Sequence, residues 1–374
     1  MSNLLEGECK TSHPTIVSTI KVVQFRNLSS QSVSLSSGTN VFVGNNGQGK
    51  SNLLEAVYLV ATTRSFRRAK DKDMIQFGSD LAKVSATDAF SDAEYEIQIP
   101  RIGRRKALVS GTSLPTVQSL VGRLPSVCFS TSDLLLVTGE PSDRRRFLDL
   151  DISQISARYL DSFSHYKRAL EHRNALLKEI REGNQTMSVL SVWNVPIAKH
   201  GSSIRKARMD YIDKISPISA IRHEELSGKK EKLFLKYLSS DHCLTEEDFL
   251  TNMDERIHQD ISAGFTTTGP QRDDFSICVD EKSASEYASQ GQQRTAVLAI
   301  KLAQADYWRS FTEQVPLLML DDIFSDLDPG RRSHVLAVTD SFGQVIITCT
   351  DLSSIDKRLL SNSKMFTVSN GIAT

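Results

Sequence analysis

Apolar positions change their period twice along this chain. From residue 15 to 110 they fall in short β-branched runs between turn formers. Ile16 to Phe25 and Asn40 to Val43 suit strands, as do Leu81–Thr87, Glu94–Ile99 and Lys106–Ser110, which Asp92, Gly103 and Gly111 set apart. Asn52 to Leu59 holds helix formers without a breaker and predicts a helix directly after Lys50. From 141 to 263 the period becomes helical. Ile152, Ile155, Tyr159, Phe163, Tyr166, Leu170, Leu177 and Ile180 form one stripe, and Leu190, Trp193, Ile197, Ile204, Tyr211 and Ile215 a second. Gly183-Asn184 between them predicts an antiparallel hairpin, each helix of about 30 residues spanning roughly 45 Å. Pro196 should kink the second helix or shift its start.

From residue 264 onward strands and helices alternate again. Asp274–Val279, Leu317–Leu320 and Val345–Thr348 read as strands, with helices from about Gly291 to Phe311 and Arg331 to Thr339. Such alternation implies a largely parallel sheet. The simplest architecture is an α/β domain split by a helical insertion: an extension at 1–15, a first half at 16–140, the lobe at 141–263 and a second half at 264–374.

Composition narrows the class. The 374 residues carry 45 Lys+Arg against 45 Asp+Glu, which excludes a globally basic nucleic-acid binder but not a local basic face. Apolar residues at 39% and charged residues at 24% are those of a folded globular protein. No apolar run reaches membrane-spanning length, and Met1 to Pro14 lacks the basic-then-apolar pattern of a signal peptide, so a cytoplasmic location and no membrane partner are expected. Cys9, Cys128, Cys243, Cys278 and Cys349 are scattered without a CxxC pair, as expected of free thiols rather than a zinc site.

The sharpest motif is Gly44-Asn45-Asn46-Gly47-Gln48-Gly49-Lys50-Ser51, which fits G-x-x-x-x-G-K-[ST] between a strand and a helix. Glycines let the backbone approach phosphates, and the N–H groups at the helix start face the anion. In this pattern Lys50 reaches the β- and γ-phosphates of a nucleotide such as ATP, and Ser51 reaches Mg2+; Asn52 completes the first turn. Leu317-Leu318-Met319-Leu320-Asp321-Asp322 is an apolar strand ending in carboxylates. Asp321 suits magnesium binding there, and Asp322 suits orienting or deprotonating water. Ser289-Gln290-Gly291-Gln292 opens a helix shortly before that strand, with a hydroxyl cap and exposed N–H groups suited to an anion.

The order of these motifs resembles the ABC-type P-loop ATPases, in which the Ser289, Gly291 and Gln292 signature contacts the γ-phosphate held by a second subunit. Ser325-Asp326-Leu327-Asp328 resembles the D-loop of that superfamily. From about residue 16 to the C-terminus the chain resembles the RecF family, bacterial DNA replication and repair ATPases related to SMC heads. The resemblance rests on these motifs together with Gln24-Phe25-Arg26-Asn27, Thr63-Arg64-Ser65-Phe66-Arg67, Phe129 to Asp133, Asp143 to Asp149 and Thr268-Gly269-Pro270-Gln271-Arg272-Asp273-Asp274. It implies an ABC-type head with mixed sheets, and a helical lobe in place of long coiled-coil arms. It further implies ATP and Mg2+, an ATP-dependent homodimer clamping duplex DNA near single-stranded gaps, and the partners RecR, RecO and RecA. By this resemblance Arg26 reaches the nucleotide and Asp322 stands where relatives carry a catalytic Glu. Ser130 lies near the Q-loop position without a Gln, and Thr350 stands where many relatives carry a switch His.

Three basic runs bear on DNA. Arg101, Arg104, Arg105 and Lys106, and Arg64, Arg67, Arg68 and Lys70, are candidate phosphate contacts. Arg144, Arg145 and Arg146 lie so close to Asp143 and Asp149 that internal ion pairs are expected instead. Two other classes share the phosphate loop. A small-molecule phosphotransferase needs no signature helix, so Ser289 argues against it. A non-hydrolysing scaffold is opposed by the full set of Lys50, Ser51, Asp321 and Asp322.

Overall fold

The structure is a computed structural model that describes residues 14–312, 315–352 and 357–374. In chain order the strands are β1 (Val17–Val23), β2 (Gln31–Ser34), β3 (Thr39–Val43), β4 (Leu81–Asp88), β5 (Glu94–Pro100), β6 (Lys106–Val109), β7 (Thr112–Ser113), β8 (Ser126–Ser130), β9 (Leu233–Leu238), β10 (Asp274–Val279), β11 (Lys282–Ser283), β12 (Leu317–Asp321), β13 (Val345–Cys349), β14 (Lys364–Ser369) and β15 (Ile372–Ala373). The helices are α1 (Lys50–Thr62), α2 (Asp71–Met74), α3 (Leu135–Thr138), α4 (Pro141–Ile155), α5 (Ala157–Arg181), α6 (Ser191–Ser227), α7 (Glu246–Glu255), α8 (Ile257–Ala263), α9 (Ala284–Tyr287), α10 (Gln290–Phe311), α11 (Pro329–Thr339) and α12 (Lys357–Ser361). The chain divides into two compact units, one built from residues up to Asp133 plus Lys301 onward, the other centred on Leu134–Ile300.

The first unit, the head, holds two six-stranded sheets. One is antiparallel in the order β2-β1-β4-β5-β6-β7; the other runs β15-β14-β3-β13-β12-β8 and is parallel except at β15. Strands β8, β12 and β13 are buried at every position, as expected of a parallel sheet covered on both faces. β5 alternates buried and half-buried positions instead, which is the period of a sheet with one core face. Helix α1 touches strands of both sheets. Its Leu53, Leu54, Ala56, Val57, Leu59, Val60 and Ala61 are at most 1% exposed, because a helix between two sheets has no solvent face to keep polar.

The second unit pairs α5 with α6 and adds a small antiparallel sheet, β11-β10-β9. The predicted turn is present: Gly183 has φ +80°, and Asn184 N donates to Glu179 O, which closes α5 in a Schellman-type cap. Three features depart from the sequence reading. The first stripe is broken at Ser156, whose hydroxyl accepts from Tyr159 N and starts α5 anew. Pro196 does not delay α6, which starts at Ser191 and runs through both Pro196 and Pro217. The span 141–263, expected to be helical, contains β9, whose partner β10 lies beyond that span.

Buried ion pairs fill much of this unit. Arg173, fully buried, donates to Asp260, Asn194 and Thr266. Arg205 makes a two-pronged contact with Asp273 at 2.8 and 2.9 Å, and Arg208 binds Asp149. In the basic run at 144–146 the expected ion pair forms at Arg144, though with Asp274 rather than Asp143 or Asp149, whereas Arg145 bonds a backbone carbonyl. Arg144 grips Asp274 through two 2.8 Å bonds, and Arg145 donates to Asp273 O.

Candidate functional site: a phosphate loop beside a carboxylate strand

Parallel pairing places the chemistry along one edge of the head's second sheet. β13 lies between β3 and β12, with Val43 opposite Cys349, Thr348 opposite Asp321 and Asp321 opposite Ser130. The carboxyl ends of β3, β13, β12 and β8 are therefore in line, the position where open α/β sheets bind ligands. The loop from Gly44 to Gly49 leaves β3 at this edge, and Asp321 and Asp322 lie at the end of β12, with β13 between the two strands.

The loop's shape depends on its glycines. Gly47 and Gly49 have φ of +79° and +111°, so successive N–H groups curl toward one side as an anion nest. A Cβ on Gly44 would lie 2.3 Å from Val368 O, so only glycine lets the loop pass β14. Intrahelical bonding begins with Asn52 N and Leu53 N, both donating to Gly49 O, which leaves Lys50 and Ser51 at the exposed-amide start of α1. The Lys50 ammonium donates to Gly44 O at 2.7 Å and Asn45 O at 3.0 Å, so it lies across the loop. Asn45, Asn46 and Gly47 are exposed.

Several supporting residues were not legible in the sequence. The β14–β15 turn clasps the loop: Asn370 N donates to Gln48 Oε1 at 2.6 Å and Gly371 N to Gln48 O at 2.9 Å. Asn27 Nδ2 donates to Gly47 O at 2.8 Å, Asn52 Nδ2 donates to Asn27 Oδ1, and Arg67 Nη1 donates to Asn52 Oδ1. Asn52, expected beside the nucleotide, is thus tied to Asn27 and Arg67. Arg26 has partners of its own: it holds the fully buried Glu55 of α1 through bonds of 3.0 and 2.8 Å, and donates to Asp73 O at 2.9 Å. Ser65, from the Thr63–Arg67 stretch, donates to the same carboxylate.

At the carboxylate strand, Thr348 Oγ1 donates to Asp321 Oδ1 at 2.8 Å and accepts from Asp322 N at 3.1 Å. Thr348 is fully buried, so this hydroxyl fixes the Asp321 carboxylate and the turn that follows it. Asp322 takes φ +52°, a left-handed conformation that a short polar side chain tolerates. At the end of β8, Ser130 N donates to Asp133 Oδ2 at 2.7 Å. Burial pushes the Asp133 carboxyl above its usual range, opposed by Lys301 and the Ser130 amide and reinforced by the nearby Asp321. Asp133, in the quoted stretch Phe129 to Asp133, and Lys301, distant from it in sequence, thus belong to the electrostatics of this edge. Burial and the Asp322 charge push the Cys349 thiol up to about 11, against the pull of Lys50.

The signature residues lie in the second unit. Ser289 Oγ accepts from Gln292 N at 3.3 Å while Gln292 Oε1 accepts from Ser289 N at 2.7 Å, a reciprocal capping box at the start of α10. Ser289 and Gly291 are exposed. The D-loop stretch contains a 3-10 turn, Ile323–Asp326, and Asp328 Oδ1 accepts from Arg331 N at the start of α11.

Two basic runs converge in the head. Arg105 is bound to Asp71 and donates to Thr63 O, so it joins the run at 101–106 to the run at 64–70. Arg64, Arg67, Arg68, Lys70, Arg101, Arg104 and Lys106 are exposed. Among the described residues no helix is long and apolar enough to cross a membrane.

The family model described as RecF/RecN/SMC N terminal domain matches residues 16–374. The chain is 36% identical to DNA replication and repair protein RecF of Clostridium tetani, over 94% of this chain and 97% of that one. It is also 36% identical to the RecF of Limosilactobacillus fermentum, over 96% and 99%. Among solved structures, one described as the recombination mediator protein RecF with ATP in the RecFOR pathway superposes with a TM-score of 0.89 at 30% identity, covering 98% of this chain and 99% of that one. A Pyrococcus furiosus Smc head domain with an extended coiled coil matches at a TM-score of 0.55 and 15% identity, a likeness of fold.

Proposed function

The chain belongs to the RecF family, and from that premise we propose that it is a DNA-binding ATPase of replication and recombinational gap repair. In this proposal ATP drives two copies together over duplex DNA beside a single-stranded gap, where RecR and RecO link the clamp to RecA loading. The observation that carries it is the alignment of the Gly44–Ser51 loop with Asp321 and Asp322 on one sheet edge, in a chain that also exposes the Ser289 capping box.

The residues present fit ATP with magnesium. Gly44 approaches the β14 backbone where a Cβ has no room, and the Lys50 ammonium already lies against oxygen acceptors of the loop. Gly44, Asn45, Asn46, Gly47, Gln48 and Gly49 would surround the phosphates with N–H groups, and Lys50 would exchange carbonyls for phosphate oxygens. Ser51 and Asp321 would hold the magnesium ion, which when bound supplies positive charge to the phosphate oxygens. Asp322 would accept a proton from the attacking water as the bond to the ADP oxygen breaks. Its carboxylate is one methylene shorter than the Glu of many relatives, so turnover is expected to be slow. Asn52 and Arg26 stay among the nucleotide-binding candidates; reaching the nucleotide would cost Arg26 at least one of its bonds to Glu55 or Asp73.

Ser289, Gly291 and Gln292 of one copy would meet the γ-phosphate held by the other, so loss of that phosphate releases the pair. The exposed arginines at 64, 67, 68, 101 and 104 are the proposed phosphate contacts, doubled when two heads meet. Fluorescence anisotropy on a gapped duplex tests the proposal. Wild-type protein should bind tightly with ATP and weakly without it, with a steep salt dependence, and Lys50→Met should bind weakly in both states. Equal binding with and without ATP would contradict it.

A further inference from the structure

The capping box explains how Ser289 and Gln292 hold each other, but not why the Gln292 amide faces the way it does. A primary amide can be turned over with little change in shape, exchanging its acceptor for its donor. In this chain the choice is made by a residue far away in sequence. Gln292 Nε2 donates to Glu231 Oε1 at 2.9 Å, so turning the amide over would set its oxygen against a carboxylate. With the donor thus held, Gln292 Oε1 is left to receive Ser289 N, and Ser289 Oγ receives Gln292 N. The Ser289 hydroxyl then accepts one bond inside the box and keeps its proton for an outside acceptor.

Glu231 is itself delivered by a tightly fixed linker. Helix α6 ends at Gly228, which caps it with φ +67° and an N–H bond to Glu224 O. Lys232, the next residue after Glu231, is pinned to the β10–β11 turn: its N–H donates to Asp280 Oδ1 and its carbonyl accepts from Asp280 N, both at 2.9 Å. Asp280 and Glu281 both have positive φ, the conformation of a tight hairpin turn. The second carboxylate oxygen, Oε2, lies 3.3 Å from Nε2 of the fully buried His223 in the last turn of α6. Both oxygens of Glu231 are therefore engaged, one by the helical lobe and one by the signature.

We propose that Glu231 is the positioning residue of the signature: it fixes the Gln292 amide, and through the capping box the Ser289 hydroxyl, in the orientation that receives a phosphate from a second copy of this chain. The inference rests on the trans-acting role proposed above for Ser289. It couples the end of α6 to the start of α10, so the helical lobe and the dimer contact share one carboxylate.

The test is ATP-dependent dimerisation of the full chain by sedimentation velocity, with ATP affinity measured separately at concentrations where the protein is monomeric. Glu231→Ala should weaken the ATP-dependent dimer about a hundredfold, about tenfold at each of its two signature contacts, the scale of one charge-assisted hydrogen bond apiece, while monomer ATP affinity stays unchanged. Glu231→Gln keeps an acceptor for Gln292 and should dimerise like wild type. In a Gln292→Ala background, Glu231→Ala should add nothing, since its partner is already gone. That comparison decides the matter even where Glu231→Ala lowers the melting temperature, because a general loss of packing would persist in the double variant. Normal dimerisation of Glu231→Ala, or further weakening in the double variant, would overturn the proposal. Ser289→Arg separates the two layers. If it abolishes dimerisation while Glu231→Ala does not, the positioning role alone fails; if it too dimerises normally, the trans-acting signature fails.

Discussion

Arg26→Ala is the perturbation whose size the structure sets most directly. The substitution removes two hydrogen bonds into the Glu55 carboxylate, of 3.0 and 2.8 Å, and one of 2.9 Å into Asp73 O. The Glu55 side chain is 0% exposed and that of Arg26 18%, so water reaches the pair only from the arginine side. Removing one partner of a buried ion pair costs about 3–5 kcal/mol, chiefly by leaving a charge in low dielectric. Ser65 Oγ still donates to Glu55, and the opening left by the guanidinium admits water, so the lower end applies: about 3 kcal/mol. The chain has two tryptophans, Trp193 in the helical unit and Trp308 in the head. Urea unfolding followed by Trp308 fluorescence in a Trp193→Phe background therefore reports the head by itself; Trp308 is fully buried. Arg26→Ala should lower the midpoint at unchanged slope. Arg26→Met with Glu55→Leu should recover most of the loss, since an apolar pair leaves no charge behind. A loss below about 0.5 kcal/mol for Arg26→Ala, within the range of an ordinary surface substitution, would refute the reasoning, as would a double variant as unstable as the sum of its parts. A parallel ATP titration separates roles: an affinity drop in the folded variant indicates that Arg26 also touches the nucleotide.

Three further outcomes follow from particular groups. Thr348→Val keeps the shape of a fully buried side chain but removes the hydroxyl on Asp321, so ATP turnover should fall while head stability drops by about 1.5 kcal/mol, read by turnover assay and urea unfolding. Burial raises the Asp241 carboxyl, but the Arg205 bond and the Cys243 amide outweigh it and hold the group below its usual value of 3.8. A lowered folded value gives stability that is full above the unfolded value and lost as pH falls through the folded one; acid unfolding of the helical unit, followed by Trp193 below about pH 4, should be less steep in Asp241→Asn. With its thiol pushed up to about 11, Cys349 should resist iodoacetamide at pH 7.5 in peptide mapping of the native protein, whereas the partly exposed Cys278 should react.

The strand, loop and helix around Gly44–Ser51, the strand ending at Asp321 and the helix after Ser289 were legible as elements because each is a local pattern whose residue types are dictated by its neighbours in sequence. The glycines at 44, 47 and 49 answer to backbone geometry, and Leu317 to Leu320 to burial on both faces of a parallel sheet. What escaped is carried by pairs distant in sequence. Arg26 with Glu55, Asn370 with Gln48, and Glu231 with Gln292 leave no periodicity to read. The β9 strand was hidden for a similar reason. Its buried Leu233 and Leu235 occupy a short run after a long helix, and only pairing with β10 makes it a strand. The second helical stripe was read from its apolar members, yet Arg205 and Arg208 on the same helix are as buried as Ile204. Charge conventionally marks a solvated face, and here Asp273 and Asp149 overturn that rule.

The central claim is that one working site is built from two copies: the Gly44–Ser51 loop of one chain and the Ser289 signature of the other. Mixing two inactive variants tests it most directly. Lys50→Met should lack turnover because its own loop fails, and Ser289→Arg because it cannot complete a partner's loop. In a mixed dimer the loop of the Ser289→Arg copy meets the signature of the Lys50→Met copy, so one site is whole. An equimolar mixture should therefore regain turnover, up to about half of wild type, since each mixed dimer holds one working site of two. A mixture that stays as inactive as its components would contradict the composite site.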